Sequence, residues 1–169
     1  MKKQIPYWQT AGFIFTAIVG TFLHFLFDLT GGSIAAALIS ATNESIWEHM
    51  KLLFYPMFLF AIVEYFCWGK EIPGFWTVKL LGMLLGLLLI PVIYYTYTGI
   101  SGMNVDWLNI AIFFLAAGVA FYLETKLFPK PLPFSLSNAA AFGIFCLLAV
   151  TFTVFTFYPP SLPLFQSPG

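Results

Sequence analysis

Two stretches of the chain carry side chains that can bind a metal ion or transfer a proton. The first reads H-F-L-F-D, in which His24 and Asp28 are spaced i,i+4 and therefore share one face of a helix. The second, N-E-S-I-W-E-H-M-K at 43–51, supplies two glutamates and His49. Imidazole nitrogens and carboxylate oxygens suit Zn²⁺ or another divalent transition metal. Side by side, they can also activate a water molecule.

Helix geometry limits which of these side chains can ligate one ion. Glu48 and His49 are adjacent and point about 100° apart on a helix, so they would not readily bind the same metal. The predicted metal candidates are His24 and Asp28 with either Glu48 or His49. No H-E-x-x-H, nucleophile elbow, Walker loop or dinucleotide fingerprint occurs in the chain. A divalent metal is the one cofactor these residues suggest, and enzymatic activity is left open.

Each polar residue of the second stretch also has a structural interpretation. Ser45-x-x-Glu48 is a capping box, in which the serine hydroxyl accepts the N3 amide and the glutamate returns to the N-cap amide. Lys51, at i+3 from Glu48, can pair with it. Asp106 begins a later apolar run and suits the first turn of a helix. The full candidate cluster for a polar or metal ligand is His24, Asp28, Asn43, Glu44, Ser45, Glu48, His49, Lys51 and Asp106.

Composition places these residues in a membrane protein. The 169 residues are 60% hydrophobic and 8% charged, with a mean hydropathy of +0.90, whereas soluble domains are about 45–50% apolar and about 25% charged. Seven lysines balance seven acids and arginine is absent, so no basic surface is available to follow a phosphate backbone. We therefore expect the lipid bilayer as partner and exclude nucleic acid; protein partners are not indicated.

Five apolar stretches are long enough to cross a bilayer, which takes about 20 residues. The predicted fold is an all-α integral membrane protein with one transmembrane domain, 1–169. Between the first two spans, the apolar piece 34–41 is too short to cross and is expected to lie in the interface or to be re-entrant. The first apolar run exceeds a signal peptide core, so we expect it to remain uncleaved. The predicted spans are 7–27, 46–68, 75–97, 105–128 and 138–158.

Lysines predict the orientation, because cytoplasmic loops are enriched in them. Lys2 and Lys3 precede the first span, Lys70 follows the second, and Lys126 and Lys130 lie at the end of the fourth. All fall on one side if the N-terminus is cytoplasmic, which places the C-terminus outside the cell membrane. His24 then lies about 24 Å along a core of about 30 Å, just below the outer edge, together with the start of span two.

Two further pairs concern packing. Glu64 and Lys79 lie near the cytoplasmic ends of spans two and three, and we expect them to pair or to extend toward the interface, because an isolated charge there is costly. Gly82 and Gly86, spaced i,i+4, predict the close approach of a neighbouring helix.

A longer motif resembles a known family. N-E-S-I-W-E-H-M-K-L-L-F-Y-P at 43–56 is similar to the N-E-S-x-W-E-H-x-K-L-x-F-x-P signature of small bacterial membrane proteins of unknown function. T-G-I-S-G at 98–102 and F-T-F-Y-P-P-S-L-P-L-F at 155–165 extend the likeness. The family tends to end in D-P-x-T-G, whereas this chain reads Q-S-P-G. The resemblance implies a bacterial multi-pass membrane protein and supplies no activity.

Three functions therefore stay open from the sequence. The first is a membrane protein with an outward-facing polar pocket that binds an ion or polar ligand. The second is a metal-dependent membrane enzyme acting on lipid or envelope substrates, with His24, Asp28, Glu48 and His49 as ligands or acid–base groups. The third is a non-catalytic membrane component in which the cluster caps and braces helices.

Overall fold

The computed structural model describes residues 4–167 and is all-helical over that range. Lys2, Lys3 and the last two residues lie outside the described part, so their predicted positions are not addressed by it. Two single 3-10 turns follow α3 and α6, at Gly69–Glu71 and Pro163–Phe165. The α-helices are α1 (Ile5–Leu29), α2 (Ile34–Ala37), α3 (Ile46–Cys67), α4 (Phe75–Ser101), α5 (Asp106–Leu127) and α6 (Asn138–Phe157).

The five long helices coincide with the five predicted spans. Each is long and apolar enough to cross a membrane, which confirms the all-α prediction and the number of candidate spans. The largest difference is at the end of α4, which continues a full turn beyond 97. That turn contains Thr98 and Gly99, whose low helix propensity makes the sequence prediction end the helix too early. The helix ends at Gly102, which adopts a φ of 68° that only glycine takes without strain.

Successive long helices run in opposite directions. Each end of the bundle therefore brings together side chains from the start of one helix and the end of the next. α3 and α4 form the centre; α1 packs on α3 and α5, while α6 packs on α4 and α3. At one end, the start of α1 meets the end of α3, where Gln9 contacts Glu64. At the other end, His24 of α1 lies beside His49 of α3.

The contact between α4 and α5 is the most extensive in the bundle. Gly82 and Gly86 face α5 on this side, and a Cβ at Gly86 would lie 3.3 Å from the Cβ of Ala120. Small residues on both helices therefore allow their backbones to approach. The predicted role of the glycine pair is confirmed.

The short helix α2 lies within the predicted 34–41 segment. Its small residues Ala36 and Ala37 are buried against the bundle, while Ile34, Leu38 and Ile39 expose apolar side chains. Large apolar side chains are also exposed along α1, α4, α5 and α6. Such a surface is unusual for a protein in water, where exposed apolar patches are small.

Candidate functional site

Three side chains from three segments converge where α1 ends and α3 begins. His24 comes from the penultimate turn of α1, Glu44 from the loop before α3, and His49 from the first turns of α3. The Glu44 carboxylate lies between the imidazoles, 3.9 Å from His24 Nε2 and 3.4 Å from His49 Nε2. One ligand atom from each residue falls within 4.8 Å of the others. This is the spacing at which one metal ion could be shared.

The hydrogen bond of His49 fixes which ring nitrogen faces the cluster. His49 Nδ1 lies 2.9 Å from the carbonyl oxygen of Ser45, and a carbonyl can only accept. Nδ1 therefore carries the hydrogen, and in the neutral ring Nε2 keeps a free lone pair. This lone pair faces a carboxylate oxygen at 3.4 Å, so the arrangement calls for a cation between them, either a proton or a metal ion. Histidine ligands of metals commonly bond a carbonyl in this way through the other nitrogen.

Two adjoining cavities open beside the three residues. Their volumes are about 490 and 210 Å³, and Glu44 and His49 line both. Asp106 and Asn109 of α5 also line both cavities, opposite the histidines. The larger cavity continues between α1 and α5 past Gly20 and Leu52 and is apolar there. The site therefore combines a polar mouth with an apolar wall.

Glu48 and Lys51, both predicted site residues, are not part of the converging set and instead form a buried pair. Lys51 Nζ is 2.8 Å from Glu48 Oε2 and also donates to the Ala37 carbonyl and the Thr156 hydroxyl. Glu48 accepts from Thr156 at 2.7 Å and from the Thr42 amide at 2.9 Å. With all their hydrogen-bonding capacity directed into the protein, these two side chains connect α2, α3 and α6.

The capping box is only half formed. Ser45 Oγ accepts the Glu48 amide at 3.4 Å, as predicted, but the Glu48 carboxylate does not return to the Ser45 amide. Asn43 Oδ1 instead accepts the hydrogen bond from the Ser45 amide, at 2.8 Å. The reciprocal half of the prediction is wrong because Lys51 and Thr42 hold the carboxylate on the other side. Asn43 thus shapes the turn that presents Glu44.

The two aspartates differ in position. Asp28 is exposed on α1, one turn beyond His24, and is not one of the three residues that converge on a shared point. Glu44 takes the place that the sequence prediction gave to Asp28. Asp106 is the first residue of α5 and faces both cavities.

Sequence reasoning missed the amides that complete the cavity wall. Asn104 and Asn109 form a network with Tyr97, whose hydroxyl donates to Asn109 Oδ1 at 2.5 Å and whose oxygen lies 3.2 Å from Asn104 Oδ1. Asn109 Nδ2 in turn donates to Asn104 Oδ1. The sequence does place Asn109 at i+3 from Asp106 near the start of α5, so the two residues share one face of the helix.

A second polar network lies at the opposite end of the bundle. Lys79 forms ion pairs with Glu64, as predicted, and with Glu124, which was not predicted. Gln9 completes the network through Glu64. Gln9 and His24 are separated by about 22 Å of helix rise, so the two networks do not touch along α1.

Comparisons with known proteins give a family and no activity. Neither the curated proteins nor the solved structures yield a match to this chain. A family model described as a family of unknown function (DUF6512) matches residues 1–168. Since the match covers nearly the whole chain, the protein belongs to this family of unknown function.

Proposed function

We propose that this protein is a five-span membrane protein whose extracytoplasmic pocket binds a divalent transition-metal ion. Five long apolar helices with apolar outer surfaces support the membrane assignment. Lys70, Lys126 and Lys130 all lie at the end of the bundle opposite His24, which favours a cytoplasmic N-terminus. The short helix α2 then rests at the outer interface, with its exposed apolar residues toward lipid.

The observation that carries the metal proposal is the set His24, Glu44 and His49. Two imidazoles and one carboxylate match the ligand type and number of catalytic zinc sites, which keep one position open. The bond from His49 Nδ1 to Ser45 fixes the ring so that Nε2 points to the shared position. Side-chain exposures of 30% for His24 and 27% for His49 leave the position reachable from the cavity.

A second candidate function is a metal-dependent enzyme acting on lipid or envelope substrates. The larger cavity favours it, because the open position would face both Asp106 and an apolar wall. Asp106 could serve there as a base toward metal-bound water. The metal-binding proposal needs neither Asp106 nor the apolar wall. It therefore rests on fewer residues than the enzyme proposal and is the one that we prefer.

Titration of Zn²⁺ into metal-stripped, detergent-purified protein tests the proposal. We expect one ion per chain, measured by calorimetry and elemental analysis. His49→Ala and Glu44→Ala should weaken the affinity by more than about 100-fold, beyond the roughly 10–100-fold loss typical of replacing a residue that only hydrogen-bonds to a metal ligand. Asp28→Ala is the matched control, since Asp28 is an acid on α1 one turn from His24 and lies outside the converging set.

The Asp28→Ala variant also distinguishes the ligand set that contains Glu44 from the predicted set that contains Asp28. Loss of binding in Asp28→Ala, with Glu44→Ala unaffected, would favour the set that sequence spacing suggests. No binding by the unmutated protein would contradict the metal proposal. A stability loss in the His49→Ala and Glu44→Ala variants without any metal effect would then favour the bracing function.

A further inference from the structure

The network at the other end of the bundle joins four helices through side chains that are shielded from solvent. Gln9 comes from α1, Glu64 from α3, Lys79 from α4 and Glu124 from α5. Their exposed fractions are 2% for Gln9 and Lys79 and 0% for both glutamates. Four polar side chains buried at a helix junction are costly unless their charges and hydrogen bonds are balanced.

The contacts centre on the Lys79 ammonium group. It forms ion pairs with Glu64 and with Glu124, the latter at 2.5 Å from Oε2. Gln9 Nε2 donates to Glu64 Oε1 at 2.8 Å, and Gln9 Oε1 accepts from Lys79 at 3.4 Å. The aromatic rings of Phe121 and Phe128 lie beside the ammonium, with centroids at 5.3 and 5.8 Å.

The charges of this network do not balance when both acids are ionised. Two carboxylates share one ammonium, and within residues 4–167 Lys79 is the only cation paired with either of them. Within the same range, the other lysines near this end are Lys70, Lys126 and Lys130, and all three are exposed. Lys70 lies over the ring of Phe66 and Lys126 over that of Tyr122. α6 carries no ionisable side chain other than the exposed Cys146. One negative charge is therefore left over in a buried site.

Glu124 Oε1 is the atom at which the excess negative charge has no compensating contact. It is buried and has no hydrogen-bond partner, and it lies against α4 where a Cβ on Gly82 would be only 2.5 Å away. An unpartnered carboxylate oxygen in such a place is far more costly than a neutral carboxyl group.

The Glu48–Lys51 pair of the same molecule shows the balanced alternative. It contains one acid and one ammonium, and both Glu48 oxygens accept hydrogen bonds from threonine. The Glu64–Lys79–Glu124 network thus has one more acid than the Glu48–Lys51 pair. A single proton bound to that network would make the net charges of the two equal.

We propose that the Glu64–Lys79–Glu124 network is a proton-binding site that holds one proton on its pair of carboxyl groups. The ligand is H⁺, and the bound proton leaves one carboxylate to balance Lys79. The site is independent of the proposed metal pocket, which lies at the opposite end of α1.

Infrared spectroscopy of the purified full chain can count the protons, because a protonated carboxyl group has its own C=O stretching band. Measured at about pH 8, where exposed carboxyl groups are ionised, the unmutated protein should show a band equivalent to one carboxyl group. Glu124→Gln and Glu64→Gln each leave one acid for Lys79 and should each abolish the band. Lys79→Met leaves two acids without a cation and should double it.

Glu48→Gln is the matched control, since it removes a buried acid from the balanced pair and should leave the band unchanged. Absence of the band from the unmutated protein would overturn the proposal. Persistence of the band in both Glu124→Gln and Glu64→Gln would do the same. If Lys79→Met fails to fold, judged by its elution and melting behaviour, the two isosteric glutamine variants still decide the question.

Discussion

At the scale of single residues, Lys51 connects three segments of the chain. Its ammonium donates to the Ala37 carbonyl at the end of α2, to Glu48 on its own helix and to Thr156 on α6. The side chain has no solvent exposure. Removing one partner of such a buried pair leaves an uncompensated charge, which costs more than the pair itself contributes.

We therefore expect Lys51→Met to lower the free energy of unfolding by about 3–5 kcal/mol. Glu48 then remains buried without its cation, and the protein loses stability either through an uncompensated charge or because Glu48 has to take up a proton. The double variant Lys51→Met/Glu48→Gln should recover much of this loss, because glutamine can still accept from Thr42 without carrying a charge. Chemical denaturation of the single and double variants in detergent micelles measures both effects.

Lys130→Met is the control for loss of a lysine, since Lys130 is exposed in the loop after α5. Its stability should stay within about 0.5 kcal/mol of the unmutated protein. If the double variant is less stable than Lys51→Met alone, the two residues stabilise the fold independently and the pair is not the unit proposed.

At the scale of helices, the seam between α4 and α5 depends on Gly82. A Cβ there would lie 2.5 Å from Glu124 Oε1 and 2.6 Å from Glu124 Cγ. Glu124 is itself held by Lys79, so it cannot move away freely. The absence of a side chain at 82 therefore leaves room for the buried carboxyl group of Glu124.

Gly82→Ala should destabilise the protein by about 1–3 kcal/mol, the usual cost of overpacking. Gly99→Ala in the same helix has open space around its Cβ, and should be neutral or stabilise by up to about 1 kcal/mol through helix propensity. Thermal melting of both variants under one set of detergent conditions makes the comparison. Equal melting temperatures would show that the helices can separate without cost.

The helices could be predicted from the sequence, but most polar partners could not. Apolar runs identify a span because each crosses a length that only about 20 residues can cover. The sequence predicts the contact between Lys79 and Glu64 because both residues lie near the same end of consecutive helices. Glu124 and Gln9 were missed because the face that α1 and α5 turn toward Lys79 is set by packing among all five helices, which spacing within one helix does not reveal. Glu44 belongs to the predicted polar cluster but not to the predicted metal ligands, because it lies in a loop where helical spacing gives no direction for its side chain.

At the scale of the whole molecule, the two ends of the bundle differ in their charge. Loop lysines collect at the end that carries the Glu64–Lys79–Glu124 network, whereas the histidines, Asp106 and the cavities lie at the other. The lysine end is expected to face the cytoplasm. The buried proton site would then lie near the cytoplasmic side, whereas the metal pocket would open to the opposite side.

Cysteine labelling of intact cells tests this orientation. The native Cys67 and Cys146 are free and are first replaced by alanine. Met103→Cys, in the exposed loop between α4 and α5, should react with a membrane-impermeant maleimide. Glu71→Cys and Pro131→Cys occupy exposed positions at the other end and leave the lysines in place. They should react only after permeabilisation, because the proposed orientation puts their loops in the cytoplasm. The opposite labelling pattern would invert the orientation and place the histidine pocket in the cytoplasm, whereas labelling at both ends in intact cells would contradict a single fixed topology.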